Sequence, residues 1–230
     1  MIKKIGHRGA MGYAPENTLL SFEKAIELNV NMIELDVHRC KSGEVVVIHD
    51  DSADRTTNGT GPVKQKTLEE LETLDAGGGE HIPTLAEVLD LAEGRVRVNI
   101  ELKGEGTAGP VSEMIDTCIR DSSWEYDDFL ISSFSRTELA AFRGCNPDVP
   151  VGVLLADIVA DRTPSLYEFT REIKAVSVHP PYRRVNKSFV AEFHEHGLLV
   201  YVWTVNDPDA IARMKQAGVD GIISNYPDRL

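Results

Sequence analysis

Long apolar runs are missing from this chain. No window approaches the roughly 18 apolar residues of a bilayer-spanning helix. The lysine-bearing start, MIKKIGHRG, has no apolar stretch of signal-peptide type. Cysteine is scarce too: Cys40, Cys118 and Cys145 are the three present, far apart and without CxxC spacing. That excludes a disulfide framework, fits a reducing compartment and makes a cytoplasmic location the expectation. Positive charge is in short supply, with 24 Lys and Arg against 37 Asp and Glu, a net charge of -13. Affinity for phosphate backbones comes from Lys and Arg contacts, so neither nucleic acid nor stable association with an anionic membrane is expected. A small phosphorylated ligand is not excluded, because one local cluster of cations suffices for it. Repeats and low-complexity tracts are absent.

What is present is an ordinary globular composition, 42% hydrophobic and 27% charged, in short β-rich runs that alternate with helical periodicity. Strands are predicted at residues 2–5, 32–37, 45–48, 96–102, 129–133, 151–154, 175–178, 199–203 and 221–224. Only HRCKSGE separates Val37 from Val45, whereas a parallel crossover takes about a dozen residues or more. The third run is therefore expected to be the return arm of a hairpin, which leaves eight parallel strands. Leu19, Phe22 and Ile26 fall at helical spacing, as do Leu85, Val88, Leu89 and Ala92, and Val111, Met114, Ile115 and Ile119. Further helices are expected at 137–143, 187–196 and 208–217, with Gly197 and Gly218 where C-terminal caps belong. Eight strand–helix units in 230 residues predict an α/β fold, a (β/α)8 barrel in a single domain spanning 1–230. Residues 50–83, polar and glycine-rich at both ends with a short helical piece at 67–73, interrupt the alternation. They are expected to form an inserted subdomain over the barrel mouth.

In such a barrel the C-terminal ends of the strands and the following loops form the active face. His7 and Arg8 follow the first strand there. Alone, His-Arg-Gly is more often a surface or capping feature, and Pro15-Glu16-Asn17 reads equally as a helix start with Asn17 as N-cap. The second strand carries IELDVH, in which Glu34 and Asp36, two apart, share a face. That face is the barrel interior, because Ile33, Leu35 and Val37 form the apolar set that packs outward. Two carboxylates side by side in a lumen repel and lose hydration, and a hard cation relieves both problems. VNIELKG repeats the pattern with one change of sign: Glu101 offers a third carboxylate, Lys103 a point charge for a phosphate oxygen. VVVIHDD brings His49 to the end of the hairpin arm. With His7 it supplies two imidazoles, one to withdraw a proton and one to donate it. His179 is a weaker candidate for the pocket rim, and His38 for support of the carboxylate strand. His194 and His196 read as surface residues, Trp124 and Tyr126 as packing, and His81 has no assignment.

Together, HRG with PENT, ELDV, HD followed by DRTTNGTG, IPTL, IELK, SSF, VWTVND and DGIISNYP resemble the glycerophosphodiester phosphodiesterase family. The likeness runs in the family's order from Gly6 to Pro227. It implies a barrel similar to phosphatidylinositol-specific phospholipase C, with the insertion at 50–83. It implies hydrolysis of a glycerophosphodiester to glycerol 3-phosphate and an alcohol with one divalent cation, Mg2+, Ca2+ or Mn2+. His7 and His49 would be the catalytic pair, and Glu34, Asp36 and Glu101 the metal ligands. Arg8 and Lys103 would bind substrate phosphate with Glu16 and Asn17 in support, while Phe134 and Trp203 line the pocket. Alternatives are a lysophospholipase D-type lipid phosphodiesterase, a metal-dependent lyase or aldolase, and a non-catalytic phosphate-binding barrel. The leaving alcohol and the oligomeric state stay open.

Overall fold

Alternation along β2 (Met32–Arg39) sets the architecture. Ile33, Leu35 and Val37 face outward into an extended core shared with the helices, while Met32 turns inward beside Ile5, Leu130, Tyr201 and Ile223. Glu34 and Asp36 follow Met32 on the inner face at the same period of two. The computed structural model describes residues 2–157 and 163–230. Among them, β1 (Lys3–Gly6), β2, β4 (Arg97–Leu102), β5 (Phe129–Ser133), β6 (Val151–Leu154), β7 (Ser177–His179), β8 (Leu199–Val202) and β9 (Gly221–Ser224) run in parallel. β1 closes the ring by pairing with both β2 and β9. β3 (Val45–Val47) lies antiparallel on the far end of β2 as the hairpin return arm. The protein is a TIM barrel, and the run at residues 45–48 stays outside the ring, as the shortness of HRCKSGE predicts.

Local chemistry explains the helices. Thr18 caps Leu19–Glu27 through its hydroxyl, which accepts from the Ser21 N–H at 3.2 Å. Leu85–Ala92 begins with a Thr84–Glu87 capping box and buries the predicted stripe. The cap of the first helix is thus Thr18 rather than Asn17, whose backbone is left-handed (φ 58°) and whose side chain turns into the barrel. Pro164–Glu172 forms a helix that periodicity does not announce. Within it only Leu166 and Thr170 are buried, so its inner stripe is half polar.

Residues 50–83 carry a short turn of helix at Val63–Gln65 and the helix Leu68–Glu72. Val63, Leu71, Ala76 and Ile82 pack on Cys40, Val46 and Ile48 as a small core of their own. The β2–β3 hairpin therefore has one face in each core, which fixes the position of the residue after it, His49.

His179 lies wholly inside the barrel and not at the pocket rim. Its Nε2 meets Ser177 Oγ at 2.9 Å, its ring packs at a tilt against Tyr201, and its carbonyl accepts from Trp203 Nε1 at 2.7 Å. Gly152 makes room for it, since a Cβ there would sit 2.6 Å from both His179 Nε2 and Ser177 Oγ. Burial lowers the His179 pKa to about 3. The unfolded chain therefore binds a proton below about 6.5 that the native state refuses. Its contribution to stability is complete above that pH and is lost as pH falls from 6.5 toward 3. Denaturant titrations should show His179→Gln flattening the loss of stability across pH 3.5–6 by about 1.4 kcal/mol per pH unit relative to wild type; equal slopes would refute the linkage.

Candidate active site

The HRG turn is built by steric need. Gly9 has φ +82°, and a Cβ on it would sit 2.5 Å from the backbone of Ser21 in the first helix. Arg8 also has a left-handed backbone (φ 50°), a strained geometry typical of functional turns. This turn directs the Arg8 N–H to Glu34 Oε2 at 2.9 Å. The Arg8 guanidinium reaches Asp36 Oδ2 at 3.3 Å and Glu16 Oε1 at 2.7 Å.

Glu34, Asp36 and Glu101 meet at the C-terminal ends of β2 and β4, where Asp36 and Glu101 are register partners. All three are buried, and one ligand oxygen from each lies within 4.8 Å of the others. Asn17, itself buried, donates from Nδ2 to Asp36 Oδ2 at 2.9 Å. Lys103 Nζ lies 3.1 Å from Glu101 Oε1 and 3.9 Å from Asp36 Oδ1. Burial, then Asp36 and Glu101, push the Glu34 carboxyl well above the usual range, and burial with Asp36 raises Glu101 to about 7. Two cations therefore leave negative charge uncompensated. Three converging carboxylates short of positive charge fit a hard divalent cation.

Two imidazoles flank this group. His7 Nδ1 bonds Asn225 Oδ1 at 2.7 Å, which places the proton on Nδ1 and a lone pair on Nε2. Burial and the adjacent Arg8 charge lower its pKa to about 4, so the ring is neutral at pH 7. His49 bonds Asp50 Oδ1 through Nδ1 at 2.6 Å, with Lys103 Nζ 3.0 Å from its Nε2. A cavity of about 250 Å3 opens over these groups, lined among others by His7, Arg8, Glu34, His49, Glu101 and Lys103. Phe134 and Trp203, packed edge to face at 5.8 Å, form its apolar wall.

The model of the glycerophosphoryl diester phosphodiesterase family matches residues 7–229. The chain belongs to that family. It is an enzyme of the phosphoric diester hydrolase class. A glycerophosphodiester phosphodiesterase of Caldanaerobacter subterraneus is 37% identical, over 98% of this chain and 95% of its own length. A solved phosphodiesterase of Oleispira antarctica, in complex with the product sn-glycerol-3-phosphate, is 28% identical with a TM-score of 0.89, covering 98% of this chain and 93% of that one. At greater distance, human lysophospholipase D is 25% identical over 99% of this chain and 84% of its own length. Among the described residues no helix is long and apolar enough to cross a membrane.

Of the eleven residues that the family resemblance implies for the site, eight line the cavity, and Asp36 completes its carboxylate group. Glu16 and Asn17, grouped with the substrate-binding residues, do not line it; they hold Arg8 and Asp36 from behind. His38 Nε2 donates to the His49 carbonyl at 3.1 Å and so supports the hairpin end. His194 pairs with Asp220 on the surface, His196 stacks on Tyr167, and His81 meets Glu87 at 3.2 Å. Trp124 packs on Phe129 as expected, and Tyr126 lies against the outer core.

Two partners of the site are not marked by any local sequence pattern. Asn225, which holds His7, is one residue of the SNYP stretch and could have been found only by pairing the last strand with the first. Arg55 bridges two carboxylates: its Nε and Nη2 meet Asp50 at 2.7 and 2.9 Å, and its Nη1 and Nη2 meet Glu16 at 2.9 and 2.8 Å. Burial opposes ionisation of Glu16, yet hydrogen bonds from Arg55 and Arg8 hold its pKa down at about 2. One continuous chain thus runs from His49 through Asp50, Arg55 and Glu16 to Arg8. Arg55→Ala should lower kcat about 10- to 100-fold, as loss of outer partners does elsewhere, with the thermal midpoint little changed. A variant of wild-type kcat would show that the bridge positions nothing.

Proposed function

We propose that this enzyme hydrolyses glycerophosphodiesters to sn-glycerol 3-phosphate and a free alcohol, with His7 and His49 as its acid–base pair. The reading is carried by one convergence: two differently held imidazoles, two cations and three buried carboxylates around a single small cavity. Glu34, Asp36 and Glu101 would hold one divalent cation, Mg2+, Ca2+ or Mn2+, all of which accept oxygen donors. When bound, such an ion neutralises the carboxylates and lowers the pKa of a hydroxyl beside them.

The surroundings divide the work between the histidines. His7, kept neutral, takes the proton of the glycerol hydroxyl next to the phosphorylated carbon as that oxygen bonds to phosphorus. The bond from phosphorus to the leaving oxygen breaks, and His49, oriented through Nδ1 by Asp50, gives that oxygen its proton. The resulting cyclic phosphate is opened by water: His49 takes back a proton from the water, and His7 returns one to the glycerol oxygen. Arg8 and Lys103 offset charge on the phosphoryl oxygens. Phe134 and Trp203 orient the organic part of the substrate.

We further take the whole chain as one domain in which residues 50–83 overhang the leaving-group side. Asp50 and Arg55 begin that segment and reach the site directly. The three cysteines are free, in keeping with a reducing compartment.

Release of glycerol 3-phosphate from a panel of glycerophosphodiesters, assayed with chelator and after return of single divalent cations, tests the reading. Chelator-sensitive release is the expected result. No release from any member by folded, cation-supplied protein would overturn it. In the same assay His7→Ala and His49→Ala should each lose roughly 10²–10⁴ in rate while remaining folded. Wild-type rates in both would remove the acid–base assignment.

A further inference from the structure

Beside the carboxylates the cavity has a floor that carries two further polar side chains. Asn99 and Ser132 lie there, on the neighbouring strands β4 and β5, with Ser132 the register partner of Glu101 and Asn99 that of Glu34. Both are almost completely buried, at 2% and 1% exposure. Among the described residues, neither Asn99 Oδ1 nor Ser132 Oγ has a hydrogen-bond partner. The opposite side of the floor is apolar, with Leu154 and Ile223, and Gly152, the register partner of Ser132, adds no side chain. Buried polar atoms are almost always paired, and an unpaired one costs about 1–3 kcal/mol. Two in one cavity wall, beside the proposed reacting groups, are atoms waiting for a partner from the cavity itself.

The partner's chemistry follows from theirs. An amide oxygen only accepts, whereas a serine hydroxyl both donates and accepts. A single hydroxyl group satisfies both, donating to Asn99 Oδ1 and accepting from Ser132 Oγ–H. An ether or ester oxygen cannot donate and so leaves Asn99 Oδ1 unpaired. In a glycerophosphodiester the hydroxyl beside the phosphorylated carbon does the attacking. One carbon farther along lies the terminal hydroxyl, which no group named so far receives.

We propose that Asn99 and Ser132 are specificity-determining residues that bind the free terminal hydroxyl of the substrate's glycerol group. This rests on the proposed reaction and deepens it: the floor demands a deacylated glycerol and turns away diesters in which that hydroxyl is esterified, as in a lysophospholipid. Sites built to bond a hydroxyl discriminate strongly against analogues without one, because their own buried groups are then stranded.

The test compares two p-nitrophenyl phosphodiesters, one of glycerol and one of propane-1,2-diol. Both keep the attacking hydroxyl and the leaving group, and only the first has the terminal hydroxyl. Wild-type enzyme should favour the glyceryl ester in kcat/KM by roughly 10²-fold or more. Ser132→Ala and Asn99→Ala should each shrink that ratio about tenfold or more. Methylation of the terminal hydroxyl should cost the wild type as much as its removal. A wild-type ratio near one overturns the proposal without recourse to any variant, and so does an undiminished ratio in both variants, in which case an ordered water fills the floor. If neither ester is cleaved by cation-supplied wild type while the protein is folded, the proposed reaction itself fails, and the floor assignment falls with it.

Discussion

Glu34, Asp36 and Glu101 are held nearly out of water within a few ångström of one another, and much of the local structure is arranged to make that tolerable. Burying like charges together is costly unless they are protonated, paired or ligated. Each nearby device meets part of that cost. The Arg8 turn gives Glu34 a backbone N–H and Asp36 a guanidinium. Asn17 adopts a left-handed backbone to lend Asp36 an amide. Lys103, co-facial with Glu101, leans back on it. Gly9 is needed because the turn that does this must press against the first helix. What these devices leave uncompensated is what a bound cation can take up.

The same logic joins the insertion to the barrel. Arg55 touches both the partner of His49 and the partner of Arg8, so the segment after β3 and the loop after β1 cannot shift independently. The hairpin that delivers His49 is held between two separate apolar cores. The imidazole thus inherits its position from packing, and its orientation from Asp50 and from the His38 bond to its own carbonyl.

Much of this could be seen in the chain before folding. Period-two alternation in IELDVH and VNIELK identifies which side chains look inward, and the shortness of HRCKSGE identifies the hairpin, because both follow from local geometry. The same alternation carried to Asn99, two residues before Glu101, would have exposed part of the floor. Other features depend on distance along the chain. Asn225 is 218 residues from His7, and Arg55 is 39 from Glu16; no local pattern encodes such pairs. His179, a weak candidate for the rim on sequence, lies inside the barrel because the missing side chain at Gly152, on another strand, lets its ring fold inward. The helix Pro164–Glu172 has too few apolar residues on its inner face to signal itself.

The pairing of β1 with β9 joins the first strand of the chain to the last. His7 therefore has no fixed ring orientation until Gly221–Ser224 has docked and carried Asn225 with it. During synthesis, the carboxylate cluster and the His49 hairpin lie within the first half of the chain, but His7, the proposed base, gains its ring partner only from the end. A ribosome-bound fragment can thus hold most of the site's charged groups and still lack the pair proposed to act as acid and base, so on that proposal the appearance of activity reports ring closure itself.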